Sequence, residues 1–530
     1  MSSQAYIFNP TERTSAASGD GFSAPRLTTT DRLALSLGVN GKGMMVYDTT
    51  LTTLCIWNGT AWEFVTDNSN GFISVKDFGA KGDGVTDDTA AIQAAINTSG
   101  LVYFPPGNYL TTSTITKASG SLKILGSGID SAVVLKSGDS DLFLYTAAGV
   151  LTISDITLTA KTVMASGAAI RVNGAYIPAS PSIENVKVNS DGAGDWKYGT
   201  YLQNCAEVSG CNSYFYGKTG SLTFIAIYIT ATLTTTAAGP YLFENIGVYD
   251  GAYGCQVSNT TNLGVEGLQF IGCDFVGVTN GLEVINTAVG YNPPHFSWIG
   301  GHINARVSNI ALTKVVQAFI EGGALFYNTN STGTAFVSLT DVSGFTIAEN
   351  YFQGIGTTDI PSIVVGGAAA FGSGIIQGNQ FSNGATAAGI SVTTANCSNL
   401  EIVNNQKLSG AGATTSLTGA CKSSIIIQNN YPVDSLVANS FNVTTAATIS
   451  VEPSPSNFIF LSTPGGATTI TAITSRRAND IMTFKCDSAL VTIQHNAGII
   501  LRGGINFTYT PGTNITLMRA NGIWQEISRQ

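Results

Sequence analysis

Short apolar runs broken by glycine, asparagine and single polar residues fill the middle of this chain, and none is long enough for an ordinary helix. A three-residue strand recurs as Ile170-Arg171-Val172, Thr200-Tyr201-Leu202, Ile227-Tyr228-Ile229, Cys255-Gln256-Val257 and Leu282-Glu283-Val284. It continues as Ile310-Ala311-Leu312, Phe336-Val337-Ser338, Ile363-Val364-Val365 and Ile390-Ser391-Val392. The central residues of successive strands lie 26 to 30 positions apart. A second series, out of phase with the first, runs through Ile156, Val186, Cys211, Ile246, Cys273, Gly301, Gly323, Asn350, Asn379, Asn405 and Asn430. A near-constant period of about 27 residues means one small unit stacked many times. Helical and leucine-rich repeats do not fit the β-rich content, and a propeller blade needs roughly 40–50 residues. A parallel β-helix with about three strands per turn fits. Asparagine tolerates the left-handed conformation at tight corners and stacked amides can form a ladder, so Asn350, Asn379, Asn405 and Asn430 are expected at one corner.

The period is lost at both ends. Between Leu33 and Val65, strands joined by Asn-Gly turns predict a small β module. Beyond residue 432, runs such as Ile499-Ile-Leu-Arg502 and Ile515-Thr-Leu-Met518, separated by Gly-Gly and Pro-Gly-Thr, predict a β-sandwich. The expected division is an N-terminal module at 1–70, a β-helix at 71–432 and a C-terminal β-rich domain at 433–530.

One segment at the head of the repeat carries a resemblance. It reads Phe72-Ile-Ser-Val-Lys-Asp-Phe-Gly-Ala-Lys-Gly-Asp-Gly-Val-Thr-Asp-Asp-Thr-Ala-Ala-Ile-Gln-Ala-Ala-Ile96, followed by Val102-Tyr-Phe-Pro-Pro-Gly-Asn-Tyr109. This closely resembles the opening of pectate-lyase-like right-handed β-helix proteins, a family that includes many bacteriophage tailspikes. The resemblance implies a homotrimeric virion tail protein, attached through its N-terminus to a tail or baseplate protein, that binds and depolymerises a bacterial capsule or O-antigen. The closing Asn521-Gly-Ile-Trp-Gln-Glu-Ile527 resembles the end of C-terminal knobs on phage receptor-binding proteins, which trimerise or bind sugar. The Arg-x-Pro-x-x-Arg of pectate lyases and the Asn-Thr-Asp and Arg-Ile-Lys set of polygalacturonases are missing, so pectin is not the expected substrate. Within the segment, Thr86 or Asp87 can cap a short helix whose Ile92, Ala95 and Ile96 form an apolar face over the open first rung. Asp83, Asp87 and Asp88 are thereby read as turn-forming and capping groups.

Charge sharpens the picture. Of 530 residues only 24 are Lys or Arg and 33 Asp or Glu, or 11%, against about 25% in an average soluble domain. The net charge of −9 argues against a nucleic-acid partner, which needs clustered cations. No apolar stretch has transmembrane length and the start lacks a signal-peptide pattern, so no membrane insertion is expected. Eight cysteines without a CxxC pair read as buried small side chains of a chain made in a reducing cytoplasm, and three separated histidines suggest no metal; no cofactor is expected.

Alternation points the central residue of each strand outward. The outward column then reads Arg171, Tyr201, Tyr228, Gln256, Glu283, Ala311, Val337, Val364 and Ser391. Its first half suits a sugar track, since aromatic faces stack on pyranose rings and Arg, Gln and Glu bond hydroxyls or carboxylates. Its aliphatic second half calls for a cover, which a homotrimer supplies. Glycosidases use two carboxylates about 5 Å or roughly 6.5–9.5 Å apart. Asp195 and Asp250 each precede an outward residue by six positions, which puts them in one loop column beside the track. The expected constellation is Glu283 with Asp250 as general acid and base or nucleophile, and Asp195 as the alternate partner. Trp196, in the Asp191-to-Tyr198 loop, and Trp298, after Pro293-Pro294, are further expected sugar contacts, and Tyr201 or Tyr228 beside Arg171 is the base of an alternative lyase reading. A binding-only adhesin is the other alternative. Asp274 and His302 are expected on consecutive rungs, and Glu184, Glu244 and Glu321 in corner hydrogen bonds. The long interval from 211 to 246 implies an inserted loop.

Overall fold

The computed structural model describes residues 24–50, 53–65, 71–173, 179–232, 238–259, 264–286, 295–327, 333–354, 359–368, 373–382, 387–394, 399–408, 415–417, 425–428, 430, 440–443, 448–450, 458–461, 466–474, 481–486 and 488–530. It is nearly all β, with a parallel solenoid of about 13 turns at about 27 residues per turn. Each turn adds one strand to each of three parallel sheets. Face 1 carries Ala168–Asn173, Tyr198–Gln203 and Ile225–Ala231 and their successors. Face 2 carries strands such as Val208–Cys211, Tyr241–Glu244 and Leu268–Ile271. Face 3 carries Tyr214–Tyr216, Ala324–Tyr327 and Tyr351–Gly354. Longer strands, such as Gly247–Asn259 and Asp274–Asn286, bend from face 3 into face 1.

The face 1 register puts Arg171, Tyr201, Tyr228, Gln256, Glu283 and Ala311 in one column. These are half-buried between inward neighbours such as Ile227 and Ile229. The next member is Ser338 and not Val337, which is fully buried. The column continues through Val364, Ser391 and Ser416, so its second half is more polar than expected.

The corner between faces 2 and 3 works by division of labour. The left-handed residue precedes the expected position: Asn185, Asn212, Asn245, Gly272, Gly300, Gly322, Glu349, Gly378 and Asn404 have φ of 49–66°. Asn350, Asn379, Asn405 and Asn430 follow it and form the expected ladder. Their Nδ2 groups donate upward to the next Oδ1 at 3.0, 2.9 and 3.0 Å, and each Oδ1 also accepts a backbone N–H from the rung below. Buried amides are thereby satisfied where no water reaches them. Ser213, not Cys211, occupies this column, its hydroxyl accepting from Val186 N at 3.1 Å. The inserted residues of that interval lie at 232–240, of which 233–237 fall outside the described residues.

The first rung is covered as expected by the helix Thr89–Thr98, which buries Ile92, Ala95 and Ile96. Its preceding aspartates are structural. Asp88 accepts from Lys81 N and Gly82 N, Asp87 from Thr89 N, and Asp83 from Val85 N and Thr86 N. The N-terminal module is a four-stranded sheet in the order Arg26–Leu27, Met45–Asp48, Thr53–Trp57, Trp62–Val65, with an Asn58-Gly59 turn closing its last hairpin. Its buried Arg32 bonds Asp48 at 2.8 Å. The C-terminal region departs from a sandwich. Phe458–Leu461 pairs parallel with Ser440–Val443 and Ile481–Lys485, and only Asn514–Ala520 and Ile523–Arg529 close the sheet antiparallel. Parallel pairing at steps of 18–25 residues is a shorter coil with its own core, including Phe484, Leu517 and Trp524. Of the described cysteines, five are buried and Cys211 is half-buried, all as free thiols.

Candidate functional site

Face 1 presents two outward columns, because its strands begin with a bend. In Tyr198-Gly199-Thr200-Tyr201 and Tyr253-Gly254-Cys255-Gln256 the two middle residues both point inward, so positions three apart share the outer surface. At Gly254 no side chain fits. A Cβ on Gly254 would lie 2.3 Å from Phe275 Cδ2 and 2.6 Å from the Gly281 carbonyl oxygen. Tyr198 and Tyr253 thus flank the expected track, with Ile225 buried between them in the register.

The side chains of this surface hold one another. Asp141 bonds Arg171 at 2.7 Å, and Arg171 also donates to the Ser166 carbonyl at 2.9 Å. The guanidinium lies 4.0 Å from the Tyr201 ring centroid, a cation–π contact. Tyr198, Tyr201 and Tyr228 form a triangle with centroids 4.9–5.1 Å apart. Farther along, Gln256 Nε2 donates to Glu283 Oε2 at 2.9 Å, and the Tyr253 hydroxyl bonds the same carboxylate. Burial raises the hydroxyl pKa of Tyr198, Tyr201 and Tyr253, and the Glu283 charge raises Tyr253 further.

The expected carboxylate pair stands on adjoining rungs, Asp250 at the corner and Glu283 beyond the bend. Asp250 sits at a left-handed corner (φ 57°) before the bend, its carboxylate against Gly277. Six residues of strand separate it from Gln256, the rung neighbour of Glu283, or roughly 20 Å of contour at ~3.3 Å per residue. Asp195 stands at the same corner but is buried, accepting from Lys218 N at 3.1 Å and bonding Ser221; burial raises its carboxyl pKa. Trp196 and Trp298 are fully buried and cannot touch a sugar. Trp196 donates to the Asn189 carbonyl at 3.0 Å, and Trp298 packs on Phe270 and Phe275. A buried loop end and an inward strand position explain both. Glu184, Glu244 and Glu321 share one strand-end column, where the Glu244 and Glu321 backbone carbonyls accept from the corner residues Asn212 N at 3.1 Å and Gly300 N at 2.7 Å.

Face 3 and its corner hold different chemistry. Lys187 pairs with Asp130 at 2.9 Å, Tyr216 stacks on Tyr249 with centroids 4.9 Å apart, and an open cleft of 570 Å³ lies beside them. Asp274 and His302 are rung neighbours as expected. Burial lowers the imidazole pKa while Asp274 opposes the shift, and the His302 ring meets Phe326 edge-on. Among the described residues no group of three or more His, Cys, Asp or Glu is arranged to hold a metal, and no helix is long and apolar enough to cross a membrane.

The missed contributors were Asp141, Tyr198 and Tyr253. The signal for the two tyrosines was the Tyr-Gly pair, which strict alternation passes over; Asp141 carried none.

Comparison with known proteins agrees with this architecture. Residues 72–291 match the family described as rhamnogalacturonase A/epimerase, pectate lyase-like, and residues 11–77 match a phage tail like trimerisation region. A probable glucan endo-1,3-beta-glucosidase of Arthroderma benhamiae is 55% identical over 58 residues, 10% of this chain. Such matches span only 6–8% of the curated relatives' length. The A-module of Azotobacter vinelandii mannuronan C-5 epimerase AlgE6 superposes with a TM-score of 0.52 at 18% identity, covering 68% of this chain and 99% of that one. Tailspike protein 3 of bacteriophage CBA120 does so with 0.53 at 13% identity, covering 89% and 71%. At these identities the likeness is one of fold. The pectate-lyase-like match covers the stretch that the 72–109 segment opens, whereas the trimerisation match falls on the N-terminal module, read above as the attachment end, and not on the C-terminal domain.

Proposed function

We propose that this protein is a phage tail component that binds and depolymerises a bacterial surface polysaccharide, a capsule or an O-antigen, on face 1. The trimerisation region and the glycan-active names among its relatives support the class. The observation that carries the site is Glu283, held by Gln256 and Tyr253 at the end of a pre-arranged arginine–tyrosine track. Pyranose rings stack along Tyr201 and Tyr228, and Arg171 orients the far end of the chain.

Hydrolysis remains the reaction. Glu283 takes the proton of an attacking water while Gln256 and Tyr253 hold its carboxylate in place, and the leaving oxygen takes its proton from solvent. Elimination needs a cation over the sugar carboxylate. The column's cation, Arg171, is four rungs from Glu283, roughly 19 Å at ~4.8 Å per rung, and is already paired with Asp141. A binding-only role is the second reading, favoured by the two hydrogen bonds that occupy Glu283.

Incubation with capsule and O-antigen from susceptible hosts tests this. Shortened polymer with new reducing ends and no ultraviolet absorbance is expected. Absorbance from an unsaturated product would show elimination instead, and unchanged polymer with retained binding would leave only the adhesin.

A further inference from the structure

We propose that the cleft at the end of face 3 is a second carbohydrate site, separate from the face 1 track, that takes a sugar carrying a carboxylate. The cleft has a volume of 570 Å³, within the range of small-ligand sites of ≈ 300–1,000 Å³. Lys187, Asn189, Tyr216 and Lys218 supply its side-chain chemistry. In a chain with only 24 cations, two ammonium groups stand on one cleft, the Lys187 one paired with Asp130.

The walls are held from behind. Tyr216, 36% exposed, lies nearly parallel to Tyr249 of the next rung, at 15°, which fixes it as an aromatic platform for a pyranose face. Lys187 Nζ is 5.9 Å from the Tyr216 ring and is oriented by Asp130, itself 62% exposed and so readily displaced by water or ligand. Asn189 spends its carbonyl oxygen on the Thr159 hydroxyl at 2.6 Å, leaving its amide N–H groups as donors, while buried Trp196 bonds its backbone carbonyl. The turn carrying Lys218 is tied down by buried Asp195 at 3.1 Å. Asp191 shapes the opposite lip by accepting from Ala193 N and Gly194 N at 3.0 Å. Two cations, an amide donor and a braced phenol ring match one ligand: the carboxylate, hydroxyls and apolar face of a uronic acid residue.

The site is tested by lysine footprinting on the full-length protein carrying Glu283→Gln, so that no probe is cleaved. Acetylation of Lys187 and Lys218 is read by mass spectrometry with hexagalacturonate, with hexamannuronate, and with their carboxyl-reduced neutral counterparts. At least threefold slower modification of Lys218 with one acidic hexamer, and none with its neutral counterpart, is expected. Tyr216→Ala should remove that protection, whereas Tyr228→Ala on face 1 should preserve it. No protection by either acidic hexamer overturns the site, and equal protection by the neutral forms overturns its selectivity for carboxylate. Protection lost with Tyr228→Ala but kept with Tyr216→Ala places the sugar on face 1 and overturns the second site. Cleavage on face 1 is scored separately with native polymer and the unsubstituted chain, so the two readings fail independently.

Discussion

Faces 1 and 3 are cut from the same rungs, yet they arrange polar groups differently. On face 1 the groups bond along the surface: Asp141 to Arg171, Arg171 over Tyr201, and Gln256 to Glu283. On face 3 Lys187 bonds Asp130 and Tyr216 stacks on Tyr249 along the surface, but Asn189 and the Lys218 turn are also braced from beneath, by Trp196 and Asp195. A surface that satisfies itself is rigid and selective, because a ligand must exchange bonds already made. One braced from behind binds with less rearrangement, but through fewer directed bonds. Chemistry that requires a fixed proton donor and acceptor belongs on the first kind of surface.

The largest test of that difference is Glu283→Gln. It should lower polysaccharide cleavage by about 10³-fold, within the usual range for a general acid or base, and leave trimer assembly intact. Tyr253→Phe, which removes one hydrogen bond to the Glu283 carboxylate, should lower cleavage by roughly tenfold. A variant with wild-type cleavage in either case would return both residues to a structural role. Next in size, Gly254→Ala inserts a methyl group within 2.3 Å of Phe275 and should cost about 3 kcal/mol, measured by denaturant unfolding. Because that glycine lies between Tyr253 and Gln256, cleavage should fall even where the protein stays folded.

The outward column from Arg171 to Ala311 was legible because its spacing is nearly constant and alternation is a local rule. That rule failed at Val337, where one residue of slip exchanges inside for outside. The asparagine ladder was legible too, since each amide bonds its copy one period away. What alternation could not show is curvature. The bend at Gly199 and Gly254 brings Tyr198 and Tyr253 to the surface, and Asp250 sits at the corner before it. The two tryptophans looked available because loops are usually exposed, but Trp196 closes its loop from within and Trp298 lies at an inward strand position. Carboxylate pairing is a property of three-dimensional columns, and sequence offset measures it only when strands stay straight.

Tyr228→Ala should have a smaller effect, removing one ring from the triangle with Tyr198 and Tyr201. Loss of one aromatic contact is worth about 1 kcal/mol, or roughly fivefold in glycan affinity measured by calorimetry. A change of that size in affinity, with turnover of bound chain unaltered, would mark Tyr228 as a track residue. A loss confined to turnover would place it with Glu283 and Tyr253 instead.

The smallest effect concerns Asp195, and it separates the braced surface from the reactive one. Burial raises its folded pKa above the unfolded value, so between the two the native state binds the extra proton. The stability linked to that proton is full below the unfolded pKa near ~3.9 and is lost as pH rises through the folded one. Asp195→Asn keeps an oxygen to accept from Lys218 N without the buried charge. Its stability relative to the native chain should therefore increase from pH 4 to pH 7, by under about 1 kcal/mol in urea unfolding. Cleavage should persist, because Asp195 lies beneath the turn and touches neither Glu283 nor the tyrosine track. A stability difference that stays flat or shrinks with rising pH would show the carboxyl to be ionised at no cost. Lost cleavage in a fully folded variant would restore Asp195 to the reaction and erase the division between the two faces.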